Sequence, residues 1–212
     1  MCFHYAYIAD TIKTAKRYGV TNPPKFDPIT HANAFANPPM PVITNEEPSN
    51  LNFYNWGLVP NWIKTKKDAN DISKKTANAR SETVFEKPSF RNAIKTKRCL
   101  IPATGFFEWR HENKDKIKYL VTTNDQEIFS FAGIYESWVD RTTGEILNSF
   151  SILTIEANEI MKYVHNNRER MPLILKKEDE GYWLSELKSK EEIQQVFYKY
   201  PSKLMDAVIQ QT

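Results

Sequence analysis

Cysteine is scarce in this chain of 212 residues, which contains only Cys2 and Cys99. Two cysteines so far apart give neither a disulfide framework nor the paired spacing of a zinc finger. The four histidines also lack metal-ligand spacing to one another or to a cysteine. We therefore expect two free thiols, no bound metal, and a reducing compartment, the cytoplasm.

Long apolar runs are absent as well. No stretch of about 18 or more residues is continuously apolar, so the sequence contains no candidate membrane span. Polar and charged residues from Asp10 onward argue against the apolar core of a signal peptide. With 41% hydrophobic residues and only six glycines, the chain is long enough to bury one sizeable core. We predict a single domain over residues 1–212.

The net charge of +3 is unevenly distributed along the chain. Residues 1–110 hold 16 Lys and Arg against 9 Asp and Glu, a net of +7, whereas residues 111–212 hold 13 against 17, a net of −4. The segment 62–98 alone has 11 basic and 4 acidic side chains. Such an electropositive segment suits a phosphate-bearing partner, although a solvated lysine-rich face explains the counts equally well.

The first third of the chain combines segments that are interrupted by glycine or proline with polar segments. An amphipathic pattern predicts a short helix that ends at Gly19. The proline-rich residues 21–48 are expected to form a long irregular segment on the surface, with their apolar side chains buried: Phe26, Phe35, Met40, Val42 and Ile43. Residues 51–62 predict a strand ending at Pro60, and the polar, basic residues 63–82 predict a loop.

The rest of the chain predicts an α+β fold, a mostly antiparallel sheet or partial β-barrel core with peripheral helices. At least four strands of an antiparallel meander are expected first, separated by turn-like residues, and three helical segments follow. The strand segments are RCLIPATGFFEWR, KIKYLVTT, EIFSFAGIYESWV and LNSFSILTIEA, and the helical segments are ANEIMKYVHN, KKEDEGYWLSEL and KEEIQQVFYKY.

Cys2 has a chemical property that Cys99 lacks. Removal of Met1 leaves Cys2 with a free α-amine, and this amine and the thiol can both add to one aldehyde to close a five-membered thiazolidine. The reference pKa values, about 7.7–8.0 for the amine and about 8.5 for the thiol, leave both groups partly deprotonated near neutrality. The alternative is that Cys2 is a small apolar residue at the start of a buried strand.

Two further motifs contain groups suited to proton transfer and to polar binding. In TGFFEW, aromatic neighbours remove water from Glu108 and raise its pKa towards the range useful for proton transfer, unless Glu108 is solvated and paired with Arg110. In TANARSE, an extended chain projects Asn78, Arg80 and Glu82 to one side, where Asn78 suits a sugar or carbonyl oxygen and Arg80 suits a phosphate. Alternatively, Asn78 caps a helix and Arg80 pairs with Glu82.

A histidine and a tryptophan complete the candidates. His165 lies at the end of a predicted helix and titrates near neutrality, which suits proton transfer, although most loop histidines have no such role. Trp62 lies beside the basic segment, where an exposed tryptophan stacks on bases of single-stranded nucleic acid. Burial in a core is the commoner fate of tryptophan, and we expect it for Trp56.

In their order along the chain, these motifs resemble the SRAP family, the SOS response-associated peptidase-like proteins. The matching features run from Cys2 to about Leu175 and include WGLVPNW, NARSET, RCLIPATGFFEW, FAGIYESW and HNNRERMPLIL. The resemblance implies an α+β fold around an antiparallel β-barrel-like core. It also implies recognition of abasic sites in single-stranded DNA and covalent linkage to them.

The resemblance implies catalytic roles for four residues. Cys2 matches the family nucleophile, which is unmasked by removal of Met1, and Asn78 matches the asparagine that positions the amino terminus and the opened sugar. Glu108 matches the carboxylate that manages protons during imine and ring formation. His165 matches the histidine that assists sugar ring opening and reversal of the link. The family's arginine–methionine–proline run follows this histidine more closely, and three residues are inserted here.

DNA contacts are implied for four more residues. Arg80 matches a phosphate-binding arginine, and Trp62 and Arg170 are expected to contact the DNA as well. Family members commonly have glycine and arginine after the cysteine, whereas this chain has Phe3 and His4. His4 is therefore expected to make a weaker, pH-dependent phosphate contact.

The leading hypothesis from the sequence is an enzyme that crosslinks to abasic sites in single-stranded DNA and shields them during the response to DNA damage. It needs no cofactor, and we expect a cytoplasmic monomer that associates with the nucleoid when bound to DNA. Two alternatives stay open: a thiol peptidase limited to removing its own leading residue, and a non-catalytic module that binds single-stranded nucleic acid. Strand cleavage at the lesion, a lyase activity, is an associated possibility.

Overall fold

The computed structural model describes residues 2–21 and 23–210. Within them the chain forms thirteen strands and six α-helices, which confirms the predicted α+β class. The strands are β1 His4–Tyr7, β2 Ile29–Asn33, β3 Pro39–Thr44, β4 Asn52–Trp56, β5 Asn78–Arg80, β6 Arg98–Ala103, β7 Gly105–Glu112, β8 Asp115–Thr123, β9 Phe129–Val139, β10 Ile146–Glu156, β11 Arg170–Pro172, β12 Ile174–Leu175 and β13 Met205–Ile209. The helices are α1 Thr11–Tyr18, α2 Lys66–Ser73, α3 Ala93–Thr96, α4 Glu159–Val164, α5 Glu180–Leu184 and α6 Lys190–Gln194.

The strands form a five-stranded sheet and a five-stranded closed barrel. The sheet has the order β13-β8-β7-β1-β2, and its neighbours pair antiparallel. In the barrel, the order β10-β4-β3-β6-β9 is closed by pairing of β9 with β10. Within the described residues, two pairings of the barrel are parallel, those of β10 with β4 and with the short strand β5. The predicted antiparallel barrel core is therefore present with a parallel seam.

Alternation along the barrel strands divides the core into two layers. On β6, Cys99 and Ile101 face the barrel interior and pack towards the sheet, whereas Leu100 faces outward against the layer of α5 and α6. Strand β9 follows the same rule, with Phe131 inward and Ile134 outward. This period of two is the strand geometry that the sequence pattern predicts.

The segment RCLIPATGFFEWR, expected as one strand, is two strands in different layers. It bends at Thr104, whose backbone N–H donates to the carbonyl of Ala6 over 2.9 Å. Strand β6 before the bend belongs to the barrel, and β7 after it belongs to the sheet. Gly105 at the bend approaches the sheet closely, because a Cβ there would lie 2.8 Å from Leu120 Cδ1. The bend aims β7 and Glu108 away from the barrel wall and towards the amino terminus.

The predicted helix α1 is confirmed, and it ends at Gly19 as predicted. Asp10 caps its first turn by accepting from the N–H of Lys13, and Gly19 ends it in the left-handed conformation with φ of 66°. The prediction of a loop over residues 63–82 was wrong, because the segment contains α2, capped by the Thr65 side chain, and β5. The predicted strand at 51–62 is shorter and ends at Trp56.

The expectation for residues 21–48 was wrong in its main point. The segment contains β2 and β3, and β3 lies inside the barrel sheet between β4 and β6. Met40, Val42 and Ile43 are buried as expected, but Phe35 is 58% exposed and stacks on Phe3 with ring centroids 4.9 Å apart. Among the described residues, no helix is long and apolar enough to cross a membrane.

Candidate active site

Cys2 lies just before β1 and is completely buried. Its carbonyl oxygen accepts a hydrogen bond of 2.8 Å from Nδ2 of Asn78 on β5, which ties the amino-terminal strand to the barrel. Its Sγ lies 3.7 Å from the carbonyl oxygen of His4. Burial, together with the nearby carboxylate of Glu108, raises the pKa of the Cys2 thiol far above its usual range. The thiol is therefore protonated at neutral pH and needs a proton acceptor in order to react.

Glu108, which acts on Cys2, meets His165 from a different part of the fold. Glu108 follows Phe106 on the buried face of β7, and His165 directly follows α4. The His165 Nδ1 lies 3.7 Å from Oε2 of Glu108 and 2.9 Å from the carbonyl oxygen of Arg170. The backbone contact orients the imidazole ring, so the ring presents a fixed edge to the carboxyl group.

The environment shifts both groups towards their uncharged forms. Burial raises the pKa of Glu108 to about 8, and burial also lowers the pKa of His165 to about 4. At neutral pH the carboxyl group is therefore largely protonated and the imidazole is neutral. A proton donor and a proton acceptor thus stand side by side, which is the arrangement required for general acid–base chemistry near neutrality.

A cavity of about 330 Å³ opens beside this pair. Its wall combines aromatic rings, the two proton-transfer groups and two basic side chains. The lining residues are Phe3, His4, Phe35, Glu108, Trp109, His111, Lys116, His165 and Arg168. A polar ligand of modest size can therefore reach the Glu108–His165 pair from solvent.

The ring of His4 forms part of this wall, in contact with a second histidine. His4 Nδ1 and His31 Nε2 are 2.9 Å apart, and the ring of Trp109 packs edge-on against His4 with centroids 4.8 Å apart. Burial lowers the pKa of His4 to about 4, and His31 and Lys118 add to the effect. The imidazole is neutral at neutral pH, so the pH dependence that we expected for a phosphate contact falls near pH 4 rather than near neutrality.

On the barrel, Asn78 and Arg80 project from the same side of β5, while Ala79 between them is buried in the outer core layer. Both residues line a depression of about 380 Å³, and Lys87 lies on the same wall. The Oδ1 atom of Asn78 is buried and has no hydrogen-bond partner among the described residues. This face therefore combines a buried acceptor close to Cys2 with exposed positive charge further out.

Trp62 borders an adjoining depression of about 480 Å³, and it is 47% exposed. The two depressions share Ile72 and Lys75 in their walls. We call this continuous surface from Trp62 through Lys75 to Arg80 the basic groove. Trp56, by contrast, is fully buried in the core, as expected.

The family profile described as "SOS response associated peptidase (SRAP)" matches residues 1–210. The chain belongs to the SRAP family. The abasic site processing protein YoqW of Bacillus subtilis (strain 168) is 40% identical over 145 residues, which cover 68% of this chain and 61% of YoqW. The abasic site processing protein HMCES of Xenopus tropicalis is 31% identical over 138 residues, which cover 57% of this chain and 40% of that protein. The match thus spans less than two thirds of either relative.

Two solved structures share the fold over nearly the whole chain. A crystal structure of a protein from Bacteroides thetaiotaomicron has a TM-score of 0.93 and 43% identity, covering 98% of this chain and 91% of that one. Another, from Bordetella bronchiseptica, has a TM-score of 0.86 and 26% identity over the whole length of both chains. The sheet and barrel described above are therefore shared with both solved structures.

In this SRAP chain, Arg170 lies away from the surface of the basic groove. It is buried, and its two Nη atoms donate to the carboxylate of Glu82 over 2.5 and 3.0 Å, while Nη2 also donates to the carbonyl oxygen of Thr154 over 2.6 Å. Its own carbonyl oxygen is the one that orients His165. A phosphate contact would have to displace Glu82, so the DNA contact expected of Arg170 stays a prediction, and its position favours support of His165. Arg80 does not pair with Glu82.

Sequence patterns did not single out Lys116 and Arg168 as members of the site. They lie 52 residues apart, and only the β7–β8 pairing and the turn after α4 bring both to one cavity.

The described residues contain no group of three or more His, Cys, Asp or Glu side chains that could hold a metal ion. Both thiols are free, and Cys99 is buried in the barrel.

Proposed function

We propose that this protein processes abasic sites by forming a covalent link between Cys2 and the lesion in single-stranded DNA. The observation that carries the proposal is a chain of contacts around Cys2: Asn78 bonds to its carbonyl oxygen, Glu108 acts on its thiol, and Glu108 lies 3.7 Å from His165. Glu108 and His165 line a cavity that is open to solvent. The names of its curated relatives, abasic site processing proteins, support the same substrate class. We further propose that it acts in the cytoplasm as a monomer.

The chemistry begins with removal of Met1, which gives Cys2 a free α-amine. The open form of an abasic deoxyribose carries an aldehyde at C1′, and the amine condenses with it to an imine, releasing one water. The sulfur then adds to the imine carbon, and the thiol proton ends on the nitrogen of the closed thiazolidine. Because amine and thiol belong to one residue, ring closure is intramolecular and gains from high effective molarity.

The neighbouring groups suit the proton movements of this reaction. The protonated Glu108 carboxyl can donate to the hydroxyl that leaves as water, and the neutral imidazole of His165 can accept the proton of the protonated Cys2 thiol. Asn78 holds the Cys2 carbonyl through Nδ2, and its unpartnered Oδ1 is available to the amine or to a sugar hydroxyl. Together these contacts fix the amine and the aldehyde in one place.

The basic groove supplies a path for the DNA strand towards the lesion. Arg80 is exposed and suits a phosphate, and the half-exposed indole of Trp62 suits stacking on a base. Asn78 borders the groove and also bonds to Cys2, so a strand bound there leads to the reactive residue.

The test is a crosslinking assay with a single-stranded oligonucleotide that carries one abasic site. We expect a protein–DNA species that survives denaturing electrophoresis and is lost in Cys2→Ala, because without sulfur the imine hydrolyses on denaturation. Cys99→Ala is the matched control and should retain the species, since Cys99 is the other buried thiol. Survival of the species in Cys2→Ala would reject the role of Cys2. The same gel also shows any cleavage of the DNA strand at the abasic site.

A thiol peptidase is less well supported than crosslinking. Cysteine nucleophiles of peptidases act as thiolates with a lowered pKa, whereas burial raises the pKa of the Cys2 thiol. Cleavage of a denatured protein substrate, abolished by Cys2→Ser, would favour the peptidase. A non-catalytic binding module is favoured if mass spectrometry of the intact protein finds Met1 retained, because the amine is then blocked.

A further inference from the structure

The turn after His165 is fastened to the end of strand β7. The side chain of Asn166 forms two hydrogen bonds with the main chain of His111: its Nδ2 donates to the carbonyl oxygen over 2.9 Å, and its Oδ1 accepts from the N–H over 3.0 Å. The turn is closed by the N–H of Glu169, which donates to the His165 carbonyl oxygen over 3.0 Å, with Glu169 at φ of 47°. The turn therefore has a defined position although it is exposed.

This position brings Arg168 to the wall of the cavity that contains Glu108 and His165. Lys116, on the neighbouring strand β8, lies on the same wall. Neither side chain has a hydrogen bond or an ion pair with another side chain of the described residues. The carboxylate of Glu112, at the end of β7, bonds to Arg110 over 2.7 Å instead. Two cationic groups are thus presented to the cavity without internal partners.

The charge of the cavity wall is positive at neutral pH. Glu108 is the acidic residue of this wall among those described, and burial raises its pKa to about 8, so it is largely protonated. A positive wall beside a reactive residue attracts an anion. The guanidinium fork of an arginine binds two oxygens of a phosphate, and a lysine adds a point charge.

We propose that Arg168 and Lys116 form a phosphate clamp that binds the DNA backbone next to the abasic nucleotide, with Asn166 as the positioning residue of Arg168. The clamp rests on the proposed function of the cavity and adds a second DNA contact to it. It shares no lining residue with the basic groove. The strand is therefore held on two separate surfaces, with the lesion between them at Cys2.

The test measures non-covalent binding, so that crosslinking does not contribute. The probe is a single-stranded oligonucleotide with a tetrahydrofuran abasic analogue, which has no aldehyde, and affinity is followed by fluorescence anisotropy over a range of salt concentrations. Each phosphate contact on single-stranded DNA contributes about 0.7 to the slope of log K against log salt. We expect Arg168→Gln and Lys116→Gln each to reduce the slope by about 0.7, and the double variant by about 1.4.

The matched control is Lys114→Gln, which removes an exposed lysine two residues before Lys116, in the β7–β8 turn, that does not line the cavity. It should leave the slope unchanged. Asn166→Ala removes no charge, yet it should reduce the slope as Arg168→Gln does, and adding Arg168→Gln to it should change nothing further. A role of Asn166 in folding alone would not produce this non-additivity.

The position of the clamp is tested with oligonucleotides that carry one neutral methylphosphonate. We expect the wild type to lose affinity when the replaced phosphate lies next to the lesion, and Arg168→Gln to be insensitive to that same replacement. Unchanged slopes in the Arg168 and Lys116 variants, with Cys2-dependent crosslinking intact, would overturn the clamp and leave the proposed function standing. Reduced slopes without any crosslink to aldehyde-bearing DNA would instead overturn the proposed function and reduce the clamp to a simple anion site.

Discussion

Replacing Glu108 by Gln tests the physical state of the candidate active site without assuming its function. The ordinary pKa of a glutamate carboxyl is 4.5, and burial raises that of Glu108 to about 8. Between these two values the folded protein holds a proton that the unfolded chain has released. Folding stability due to this group is therefore fully present below the unfolded pKa and is lost as the pH rises through the folded pKa.

The size of the effect follows from the two pKa values. Each unit of difference between the folded and the unfolded pKa of Glu108 corresponds to about 1.4 kcal/mol. Most of the interval from about pH 5 to about pH 9 lies between these two pKa values. The wild type should lose about 4 kcal/mol of unfolding free energy over this interval, relative to Glu108→Gln, which cannot ionise. About half of that loss falls above pH 6.5, where the folded His165 is neutral and less than half of the unfolded imidazole is protonated.

The assay is urea unfolding of both proteins across this pH range, with the difference between them plotted against pH. Because the two proteins share every other titrating group, the remaining groups cancel to first order, and any hydrogen bond changed by the amide appears as a constant offset. A difference that stays flat within about 1 kcal/mol would mean that the carboxyl titrates normally. The assignment of Glu108 as a protonated acid at neutral pH would then be refuted.

Three further predictions concern activity, DNA binding and packing. The rate of crosslinking should be bell-shaped in pH, because it rises as the α-amine deprotonates near pH ~8 and falls as Glu108 ionises above about 8. In single-turnover assays, Glu108→Gln should lose the fall in rate at alkaline pH and slow the reaction by about 10²–10⁴. Trp62→Ala should weaken binding of single-stranded DNA by about 1–3 kcal/mol in anisotropy titrations, and an unchanged affinity would remove Trp62 from the groove. Gly133→Ala should destabilise the protein by about 1–3 kcal/mol in urea unfolding, because its Cβ would overlap Ile101 inside the barrel, whereas Gly181→Ala, with open space around it, should not.

The central strands could be predicted from the sequence because their alternation is strong, but two segments could not. Helix α2 buries only Ala69 and Ser73, so it has too narrow an apolar face to be visible as a pattern, and it depends on the Thr65 cap and on local packing. Strand β3 contains two prolines that normally indicate an irregular segment. Its proline-bearing residues 39–42 pair only with β4, and the pairing with β6 is confined to residues 43–44. The missing N–H groups are tolerated there because one side of that stretch is unpaired.

The candidate site likewise has features that the sequence predicts and features that it does not. Residue chemistry and the family resemblance nominate Cys2, Asn78, Glu108 and His165 as candidates, because each belongs to a recognisable motif, and their roles stay predictions. The partner of each group could not be predicted, because partners come from elements distant in the chain. Arg170 reaches Glu82 over 88 residues, which no local pattern shows.

The raised pKa of the Cys2 thiol has opposite consequences for two kinds of reaction. A peptide carbonyl is a weak electrophile and requires a thiolate, which burial of Cys2 disfavours. In the proposed reaction a protonated imine is a much stronger electrophile, and its carbon is tethered to the sulfur-bearing Cβ through the amine nitrogen and Cα. A neutral thiol can therefore add to it while His165 accepts the thiol proton. Under the proposed mechanism, the same burial that makes Cys2 a poor general nucleophile would restrict its reactivity to carbonyl groups that its own amine has already captured.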